Sequence, residues 1–360
     1  MSFFRFRDRK TADKIIALLK SMSLNIRLMH VCGTHQDTLI RYGLDSLFKE
    51  CGITIRQGPG CPVCVTTMRE YEEAITLARK GVTVTTFGDA SRVLGKHSSL
   101  LDLRAEGCDV RIVYGIQDAV KIAEKTSRKV VFLGVGFETT APSTAVMVLN
   151  GLPENFSVLN CHRYVPPALS ALLEMGEFKL HGMIEPGHVS TIIGVKPYEE
   201  ISERYKMPQV VAGFEPLDML MAVYMLALQI RDGVAKVENE YSRIVRYEGN
   251  AKALKALSLV FKPFDVDWRG FPLIKGSGMK LRKEYEKFDA RKIYEDELKD
   301  VQALEDVAGC RCGEVLRGLI DSADCSLFGT KCQPTHPIGP CMVSMEGSCN
   351  IEFKYKKVHV

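Results

Sequence analysis

Two cysteines three positions apart give the sequence its most reactive element. Cys61 and Cys64 follow a Gly58-Pro59-Gly60 turn and stand directly before a helical pattern. At the N-terminus of a helix, the macrodipole and the free backbone N–H groups favour thiolate over thiol. This position suits a redox-active pair or a pair of metal ligands, and the glycines allow the backbone to approach a partner closely. The alternative is half of a zinc site, or two buried thiols.

A second concentration of cysteine lies at the C-terminal end. Of the 12 cysteines, six fall within the last 51 residues, at positions 310, 312, 325, 332, 341 and 349. In a reducing compartment such density indicates metal binding or catalysis rather than structural disulfides. Cys310, Cys325, Cys332 and Cys349 are separated by 14, 6 and 16 residues. Zinc ribbons use tight pairs of cysteines, so this wide spacing favours an iron–sulfur cluster, although it leaves open which four of the six bind.

The elements that must position these residues alternate between strands and helices. Helical patterns of about ten residues separate eight strand patterns, at 25–31, 52–56, 82–87, 111–114, 129–135, 156–160, 181–184 and 209–212. This alternation predicts an α/β fold with mostly parallel sheets flanked by helices, in which ligands bind beyond the carboxyl ends of the strands. Reactive or acidic residues follow the predicted strands at Cys32, Cys61, Asp89, Glu138, Cys161, Glu185 and Glu215.

A short repeat indicates the domain organisation. Gly-Phe-Glu occurs at 136–138 and at 213–215, each time after a strand pattern. We predict two similar α/β domains and a small C-terminal iron–sulfur domain, at 22–135, 136–245 and 246–360, the last together with an N-terminal helix within 1–21. Within the third domain, 263–278 is expected to be loop without strands, and Lys280–Lys299 a solvated helix.

Three histidines, His35, His162 and His188, each follow a strand pattern. A lone loop histidine is more often a hydrogen-bonding residue than a metal ligand. His35 is the exception, because it stands three residues after Cys32 and can tune the pKa of that thiol. The carboxylates after the strands, such as Glu138, are either functional or solvated charges at helix N-termini.

Composition narrows the class of protein. With 46% hydrophobic residues, the chain of 360 residues can form a packed core. A net charge of +4, without basic runs interleaved with aromatics, gives no support for nucleic-acid binding, and the glycine-rich turns match no nucleotide fingerprint. Leu217–Ile230 is too short to span a bilayer, and the N-terminal residues lack the apolar region of a signal peptide. We therefore expect a cytoplasmic protein that binds neither nucleic acid nor membrane.

Longer motifs carry a family resemblance. They are CGTH at 32–35, GPGCPVC at 58–64, GFETT at 136–140, CHR at 161–163, EPGH at 185–188, GFEP at 213–216 and GPCMVSMEG at 339–347. These motifs resemble the HypD family of [NiFe]-hydrogenase maturation proteins. The resemblance covers nearly the whole chain and shows no departure at the cysteine positions, whereas residues before 20 carry none of the motifs.

The resemblance implies roles for individual residues. It implies a [4Fe–4S] cluster on Cys310, Cys325, Cys332 and Cys349. Cys32 would be the ligand of an iron under assembly. Cys61 and Cys64 would act beside it as a redox pair. Independently of the resemblance, we expect His35 to donate a hydrogen bond to a cyanide nitrogen or to stabilise the Cys32 thiolate. The further residues expected to support the site are Asp89, Glu138, His162, His188 and Glu215.

The resemblance also implies a function and partners. In this family an Fe(CN)₂(CO) group is assembled on a complex of HypD with the small chaperone HypC, and HypE delivers the cyanide. The chain would be a scaffold with partners of these two types, and a monomer outside the complex. Such low-spin iron prefers soft thiolate ligands, and release of cyanide from a thiocyanate carrier needs electrons. The alternative is a cluster-dependent thiol–disulfide oxidoreductase, which has no need of the Cys32 loop.

Overall fold

Helices and parallel strands alternate along most of the chain, as the sequence pattern predicts. The computed structural model describes residues 8–302 and 307–356. The strands are β1 Ile26–His30, β2 Ile53–Gln57, β3 Thr83–Thr86, β4 Val110–Ile112, β5 Val130–Gly136, β6 Phe156–His162, β7 Gly182–Pro186, β8 Gln209–Ala212, β9 Val237–Asn239, β10 Phe261–Asp267 and β11 Leu273–Leu281. The first eight lie within a few residues of the predicted strands, which confirms the α/β class.

These strands form two parallel sheets and one antiparallel hairpin. The first sheet has the strand order β2-β1-β7-β8-β9, and the second has the order β4-β3-β5-β6. Every pair within the two sheets is parallel. The carboxyl ends of the strands therefore lie at one edge of each sheet, where ligands bind in folds of this class. The hairpin consists of β10 and β11.

Strand pairing divides the chain differently from the predicted boundary between residues 135 and 136. β5 and β6 pair along their whole length, from Val130 with Phe156 to Gly136 with His162. β1 pairs with β7, so the chain leaves the first sheet after β2, forms the second sheet and then returns. The Gly-Phe-Glu repeat marks a strand end in each sheet, and such a local signal contains no information on which strands pair.

Helices cover the sheets and connect their strands. The α-helices are α1 Arg9–Ser21, α2 Gly33–Arg41, α3 Leu44–Glu50, α4 Pro62–Val65, α5 Met68–Arg79, α6 Leu100–Ala105, α7 Ile116–Glu124, α8 Ala141–Asn150, α9 Val165–Met175, α10 Gly187–Ile193, α11 Glu199–Tyr205, α12 Pro216–Arg231, α13 Ala251–Val260, α14 Ala290–Ile293, α15 Glu295–Leu298, α16 Cys312–Leu316, α17 Pro340–Val343 and α18 Ser348–Tyr355. Short 3₁₀ helices lie at Ala90–Arg92, Lys196–Tyr198, Lys283–Phe288 and Ser322–Asp324. No helix of the described residues is long and apolar enough to cross a membrane.

Local signals explain where particular helices begin and end. Thr67 and Glu70 form a capping box at the start of α5. The helices α2 and α3 follow each other closely along the chain. Gly43 separates them with a φ of +66°, a left-handed conformation that ends a helix at little cost for glycine.

The N-terminal helix belongs to the first sheet. Ile15 and Leu19 of α1 lie in one buried cluster with Leu28 of β1 and Phe48 of α3. This differs from the predicted grouping of 1–21 with the C-terminal segment, because the apolar face of α1 is covered by α12 and α3. Residues 1–7 of that predicted helix lie outside the described residues.

The prediction of loop over 263–278 is wrong, because β10 and β11 form a hairpin there. A register shift between Phe264 and Val266 interrupts the alternation of the first strand. Left-handed Gly270 and Gly276 interrupt the pattern further. The single helix expected at Lys280–Lys299 is instead a 3₁₀ helix followed by the short α14 and α15.

One buried core joins the two sheets. It contains Met29 of β1, Leu133 of β5 and the side chains of Cys61 and Cys64. Cys341, from the cysteine-rich C-terminal part, belongs to the same core. That part therefore packs against the ends of both sheets, which brings its thiols near the loops that follow β1 and β2.

Candidate functional site

Cys32 lies at the carboxyl end of β1 and takes the N-cap position of α2. Burial raises the pKa of its thiol to about 11, and the Glu346 carboxylate adds to this effect. The backbone N–H groups of His35 and Thr34, at the start of the helix, act in the opposite direction. The thiol is therefore protonated near neutral pH, and a bound metal ion would take the place of the proton.

Cys61 and Cys64 form a disulfide at the start of α4, and both side chains are buried. The backbone N–H of Cys64 donates to Cys61 Sγ over 3.2 Å. Pro62 starts the helix with its fixed φ, directly after the glycine turn, as the sequence indicates. The two sulfurs are thus held within bonding distance by one turn of chain, which allows them to pass between disulfide and dithiol.

The loop that carries Cys61 touches the loop that carries Cys32. β1 and β2 are neighbours in the first sheet, with His30 paired to Gln57. A Cβ atom at Gly60 would collide with the backbone of Cys32, so glycine permits this approach. The two loops meet at one edge of the sheet because the strands before them are paired.

Residues 339–347, which we call the crossing segment, lie over this edge. Cys64 Sγ is 3.7 Å from the carbonyl oxygen of Pro340. At the other end of the segment, Gly33 packs so closely on Glu346 that a Cβ would collide with it. The crossing segment therefore contacts the Cys61–Cys64 pair at one end and the start of α2, beside Cys32, at the other.

The predicted supporting residue Asp89 holds the middle of the crossing segment. The Ser344 hydroxyl donates to Asp89 Oδ2 over 3.0 Å. Arg92, three residues on, donates to the carbonyl oxygen of Val343 over 2.7 Å. Asp89 thus acts on this site through the segment that it fixes.

All six C-terminal cysteines line one small cavity. Its other lining residues include the apolar Val315, Leu327, Phe328 and Met342. The backbone N–H of Ile338 donates to Cys332 Sγ over 3.4 Å. A Cβ at Gly339 would lie 2.7 Å from Cys310 Sγ, so the glycine leaves room beside that sulfur.

This donor set fits an iron–sulfur cluster. Thiolates in an apolar cavity, with a backbone N–H directed at one sulfur, are the surroundings that such clusters have in proteins. Within residues 8–302 and 307–356, no group of three or more His, Cys, Asp or Glu side chains has the arrangement that holds a single metal ion. A cluster binds its four cysteines at four different iron atoms, so it needs a wider arrangement.

Cys312 and Cys341 lie between the cavity and the disulfide. The Cys312 side chain is hydrogen-bonded to those of Cys310 and Cys341. Cys341 is hydrogen-bonded in turn to Cys349, and it directly follows Pro340, whose carbonyl contacts Cys64. The sequence left the roles of these two thiols open. Two features of the sequence distinguish these thiols: Cys312 is only two residues from Cys310, and Cys341 lies within the GPCMVSMEG motif.

His35 is buried in a neutral form. Its Nε2 lies 3.2 Å from the carbonyl oxygen of Ala212 and 3.0 Å from that of Gly213. Carbonyls only accept, so Nε2 carries the proton and Nδ1 is a lone pair, which has no partner among the described residues. Burial lowers the pKa of His35 to about 3. The ring is therefore an acceptor toward the site, and it lacks a free N–H for the expected donation to cyanide or thiolate.

The remaining predicted residues have different surroundings. His188 is exposed, and its ring stacks on the Phe214 ring with 3.9 Å between the centroids. The centroids of the Phe214 and His35 rings are 5.0 Å apart. Glu215 takes the N-cap position of α12, which is the structural role considered for it. His162 lies within β6 rather than in a loop, and its ring contacts Phe261 of the hairpin.

Two buried carboxyl groups and a tyrosine complete this edge of the sheets. Glu138 follows β5, and its Oε1 accepts from the backbone N–H of Val165 over 2.9 Å. Glu185 lies within β7 and is fully buried. The Tyr198 hydroxyl is 3.0 Å from that of Ser190. Tyr198 was not found by sequence reasoning, because it follows no strand pattern and belongs to none of the motifs.

Comparison with known proteins gives a consistent result. The model of the HypD family, described as "Hydrogenase formation hypA family", matches residues 8–356. A protein of Methanocaldococcus jannaschii named for hydrogenase expression and formation is 49% identical over 356 residues, which cover 97% of each chain. The hydrogenase maturation factor HypD of Escherichia coli is 42% identical over 338 residues, 92% of this chain and 90% of that one. That of Rhodobacter capsulatus is 41% identical over 366 residues, 97% of each chain.

Proposed function

Because the chain belongs to the HypD family of hydrogenase maturation factors, we propose that it is the scaffold on which an Fe(CN)₂(CO) group is assembled. The iron is the substrate and binds to Cys32. The scaffold acts in complex with a small HypC-type chaperone and receives cyanide from a HypE-type carrier. One observation carries the proposal: the crossing segment contacts both the redox pair and the loop of Cys32.

Cys32 has the properties that this substrate needs. Iron that bears cyanide and carbon monoxide is a soft, low-spin ion and prefers thiolate. The Cys32 thiol is protonated in its buried position, so it gives up the proton when it binds the metal. Its place at the carboxyl end of a parallel strand leaves the outer side of the iron to a partner protein.

A [4Fe–4S] cluster would be held by Cys310, Cys325, Cys332 and Cys349. When bound, it supplies single electrons. The apolar cavity, the N–H donor to Cys332 and the space beside Cys310 support this assignment.

Cys61 and Cys64 supply the electrons for the release of cyanide. A thiocyanate carrier R–SCN and the two thiols give R–SH, the Cys61–Cys64 disulfide, one cyanide ion and one proton. Two electrons thus pass from the dithiol to the carrier, the sulfur–carbon bond breaks and a sulfur–sulfur bond forms. The observed disulfide is the oxidised product of this step, and two electrons with two protons restore the dithiol.

A second candidate function has an observation in its favour. The series of thiols from the cavity through Cys312 and Cys341 to the disulfide also suits a cluster-dependent thiol–disulfide oxidoreductase. Such an enzyme would reduce disulfides of other proteins and would leave Cys32 unused. The cytoplasmic location stays a prediction under both functions.

Infrared spectroscopy separates the two candidates. The full chain is purified without oxygen, once with a HypC-type partner and once without it, after expression with the carrier. We expect absorption bands of cyanide and carbon monoxide in the complex only. A complex without these bands, together with dithiol turnover on a model disulfide, would establish the oxidoreductase instead.

A further inference from the structure

Two carboxyl groups at the carboxyl ends of the sheets are buried with most of their oxygen atoms unpaired. Glu185 and Glu138 are 0% and 1% exposed. Neither oxygen of Glu185, and only Oε1 of Glu138, has a hydrogen-bond partner among the described residues. A buried polar atom without a partner costs about 1–3 kcal/mol, so these three atoms, at the carboxyl ends of strands in the two sheets, are candidates for contacts with a ligand.

The register of the strands places Glu185 beside the site of the iron. His30 of β1 pairs with Ile184 of β7, so Glu185 is level with Val31, one residue before Cys32. Neighbouring strands lie about 4.8 Å apart. Glu185 therefore belongs to the strand next to the one that ends in Cys32.

Tyr198 shows that Glu138, from the second sheet, faces the same volume. The pKa of its hydroxyl is raised by burial and then by Glu185, with smaller contributions from Glu138 and from Cys32. Electrostatic interactions of this kind weaken with distance, so Glu185, Glu138 and Cys32 all lie near enough to act on the tyrosine hydroxyl. The strands β7, β5 and β1, at whose carboxyl ends these residues lie, therefore end in the same part of the molecule.

Both carboxyl groups are donors in this position. Burial raises the pKa of Glu185 and of Glu138 to about 8, so each carries its proton near neutral pH. A protonated carboxyl group has an O–H to donate, whereas a carboxylate only accepts and would repel an anion. His35, the donor expected from the sequence, directs its N–H at the carbonyl oxygens of Ala212 and Gly213 instead.

We propose that Glu185 and Glu138 donate hydrogen bonds to the nitrogen atoms of the two cyanide ligands on the iron at Cys32. The inference rests on the proposed function and adds the residues that recognise its substrate. A cyanide nitrogen is an anionic, strong hydrogen-bond acceptor, and carbon monoxide is a weak one. Two buried O–H donors therefore suit an iron with two cyanides and leave the third ligand position for carbon monoxide.

The test compares variants of the loaded complex by infrared spectroscopy. Glu185→Leu and Glu138→Leu remove a donor, and Glu185→Gln and Glu138→Gln keep one in a weaker N–H form. Glu73→Gln is the matched control, because Glu73 is equally buried but is paired with Arg291 in α14, 2.8 Å away. We expect each Leu variant to move a cyanide band to lower wavenumber and each Gln variant to move it less. The control should leave both bands in place.

Two outcomes overturn the inference. If all four variants keep the cyanide bands where the wild-type complex has them, the two carboxyl groups do not bind cyanide. If the wild-type complex has no such bands, the proposed function itself fails, which is a different result. If a Leu variant does not fold, the comparison uses the Gln variants. The wild type should have an infrared C=O band of a protonated carboxyl group that the matching Gln variant lacks, and loading with iron should shift that band. An unshifted carboxyl band contradicts the inference.

Discussion

The burial of Cys32 opposes the ionisation of its thiol, which is consistent with the proposed role as a ligand of iron. Burial and Glu346 raise the pKa of the thiol to about 11, so without iron it has little use as a nucleophile. We predict that Cys32→Ala removes the cyanide and carbon monoxide bands from the complex. The absorbance of the C-terminal cluster should stay, because the two sites use separate ligands.

A control for that variant is Cys108→Ala, which removes a partly exposed cysteine outside the candidate site. It should keep both the bands and the cluster absorbance. Full-strength bands in Cys32→Ala would mean that the iron binds elsewhere, with Cys61 and Cys64 as the next ligands to test.

Gly60 determines how closely the two reactive loops approach. A Cβ atom there would collide with the backbone of Val31 and Cys32, so we predict that Gly60→Ala lowers the free energy of unfolding by about 1–3 kcal/mol. Gly88→Ala is the control, since its Cβ would meet only Ile112 Cγ2 at an ordinary 3.6 Å and should change stability by less than about 0.5 kcal/mol. Urea denaturation measures both, and equal values would show that the loops can separate without cost.

Glu185 should make stability depend on pH. The folded protein holds its proton up to about pH 8, whereas the unfolded chain releases it above the ordinary pKa of 4.5. Unfolding therefore becomes easier as the pH rises through this window, by up to about 1.4 kcal/mol per pH unit. The side chain of Glu185→Gln carries no titratable proton. We predict that the free energy of unfolding of this variant increases relative to that of the wild type between pH 4.5 and about 8, and that the difference is constant at higher pH.

Urea denaturation at several pH values measures that difference. Glu154→Gln, at an exposed position, is the control. A difference between Glu185→Gln and the wild type that does not change with pH would mean that the Glu185 carboxyl group is ionised in the folded protein.

The positions of Cys32, Cys61 and Cys64 after strands could be predicted from the sequence because their signal is local. The spacing of Cys61 and Cys64, the glycines before them and the place of Cys32 after a strand are all visible within a few residues. Tyr198 and the acceptor role of His35 could not be predicted in this way. Both depend on contacts with distant residues, such as the carbonyl oxygens of Ala212 and Gly213, which only the folded chain supplies.

At the scale of elements, a buried ionic network attaches the hairpin and α14 to the second sheet. Arg163, which follows β6, is fully buried and pairs with Glu70 of α5. It also donates to the carbonyl oxygen of Asp267 over 2.9 Å and lies over the Trp268 ring. Arg291 of α14 pairs with Glu73, one turn further along α5. These charges connect four elements that share no sheet.

We predict that Arg163→Ala lowers the free energy of unfolding by about 3–5 kcal/mol, because it leaves the buried Glu70 carboxylate without its nearest cation. Arg204→Ala is the control. Its partner Glu174 is at the surface, and such pairs contribute about 1 kcal/mol or less. A similar small loss for both variants would indicate that Arg291 alone can hold Glu70.

The hairpin shows why some elements could not be predicted. Strands β1 to β8 have apolar runs bounded by turn residues, so their positions could be predicted to within a few residues. β10 and β11 contain Pro263, Gly276 and a register shift, and most of their side chains outside the core are exposed. Without a regular apolar pattern, their pairing depends on contacts with Arg163 and Trp268 that sequence periodicity does not report.

For the whole molecule, the class of fold could be predicted and the order of strands could not. Periodicity gives the alternation of strands and helices, which is enough for an α/β fold. The return of the chain to the first sheet at β7, after the whole second sheet, depends on pairing over about 150 residues between β1 and β7. For the same reason the sequence could not show that the C-terminal cysteines share a core with both sheets.

This shared core determines what loss of the cluster should do. The segment that holds the cysteines has short helices, and the buried apolar side chains of α16, α17 and α18 besides their thiols are Val315, Leu316, Met342, Val343 and Ile351. Two of these, Val315 and Met342, line the cavity of the six cysteines. Metal binding would therefore supply much of the folding free energy of this part. We predict that Cys325→Ala abolishes the brown chromophore and makes the chain past about residue 300 sensitive to limited proteolysis. The sheets, whose cores are formed by their own strands and helices, should resist the protease.

Cys312→Ala is the matched control, because Cys312 lines the same cavity but is not among the four predicted ligands. It should keep the chromophore and the resistance of the C-terminal part. Since the crossing segment joins this part to the redox pair, Cys325→Ala should also expose Cys64, whose sulfur lies against Pro340, to alkylation after reduction. An intact chromophore in Cys325→Ala would reassign the ligands, with Cys312 or Cys341 in its place.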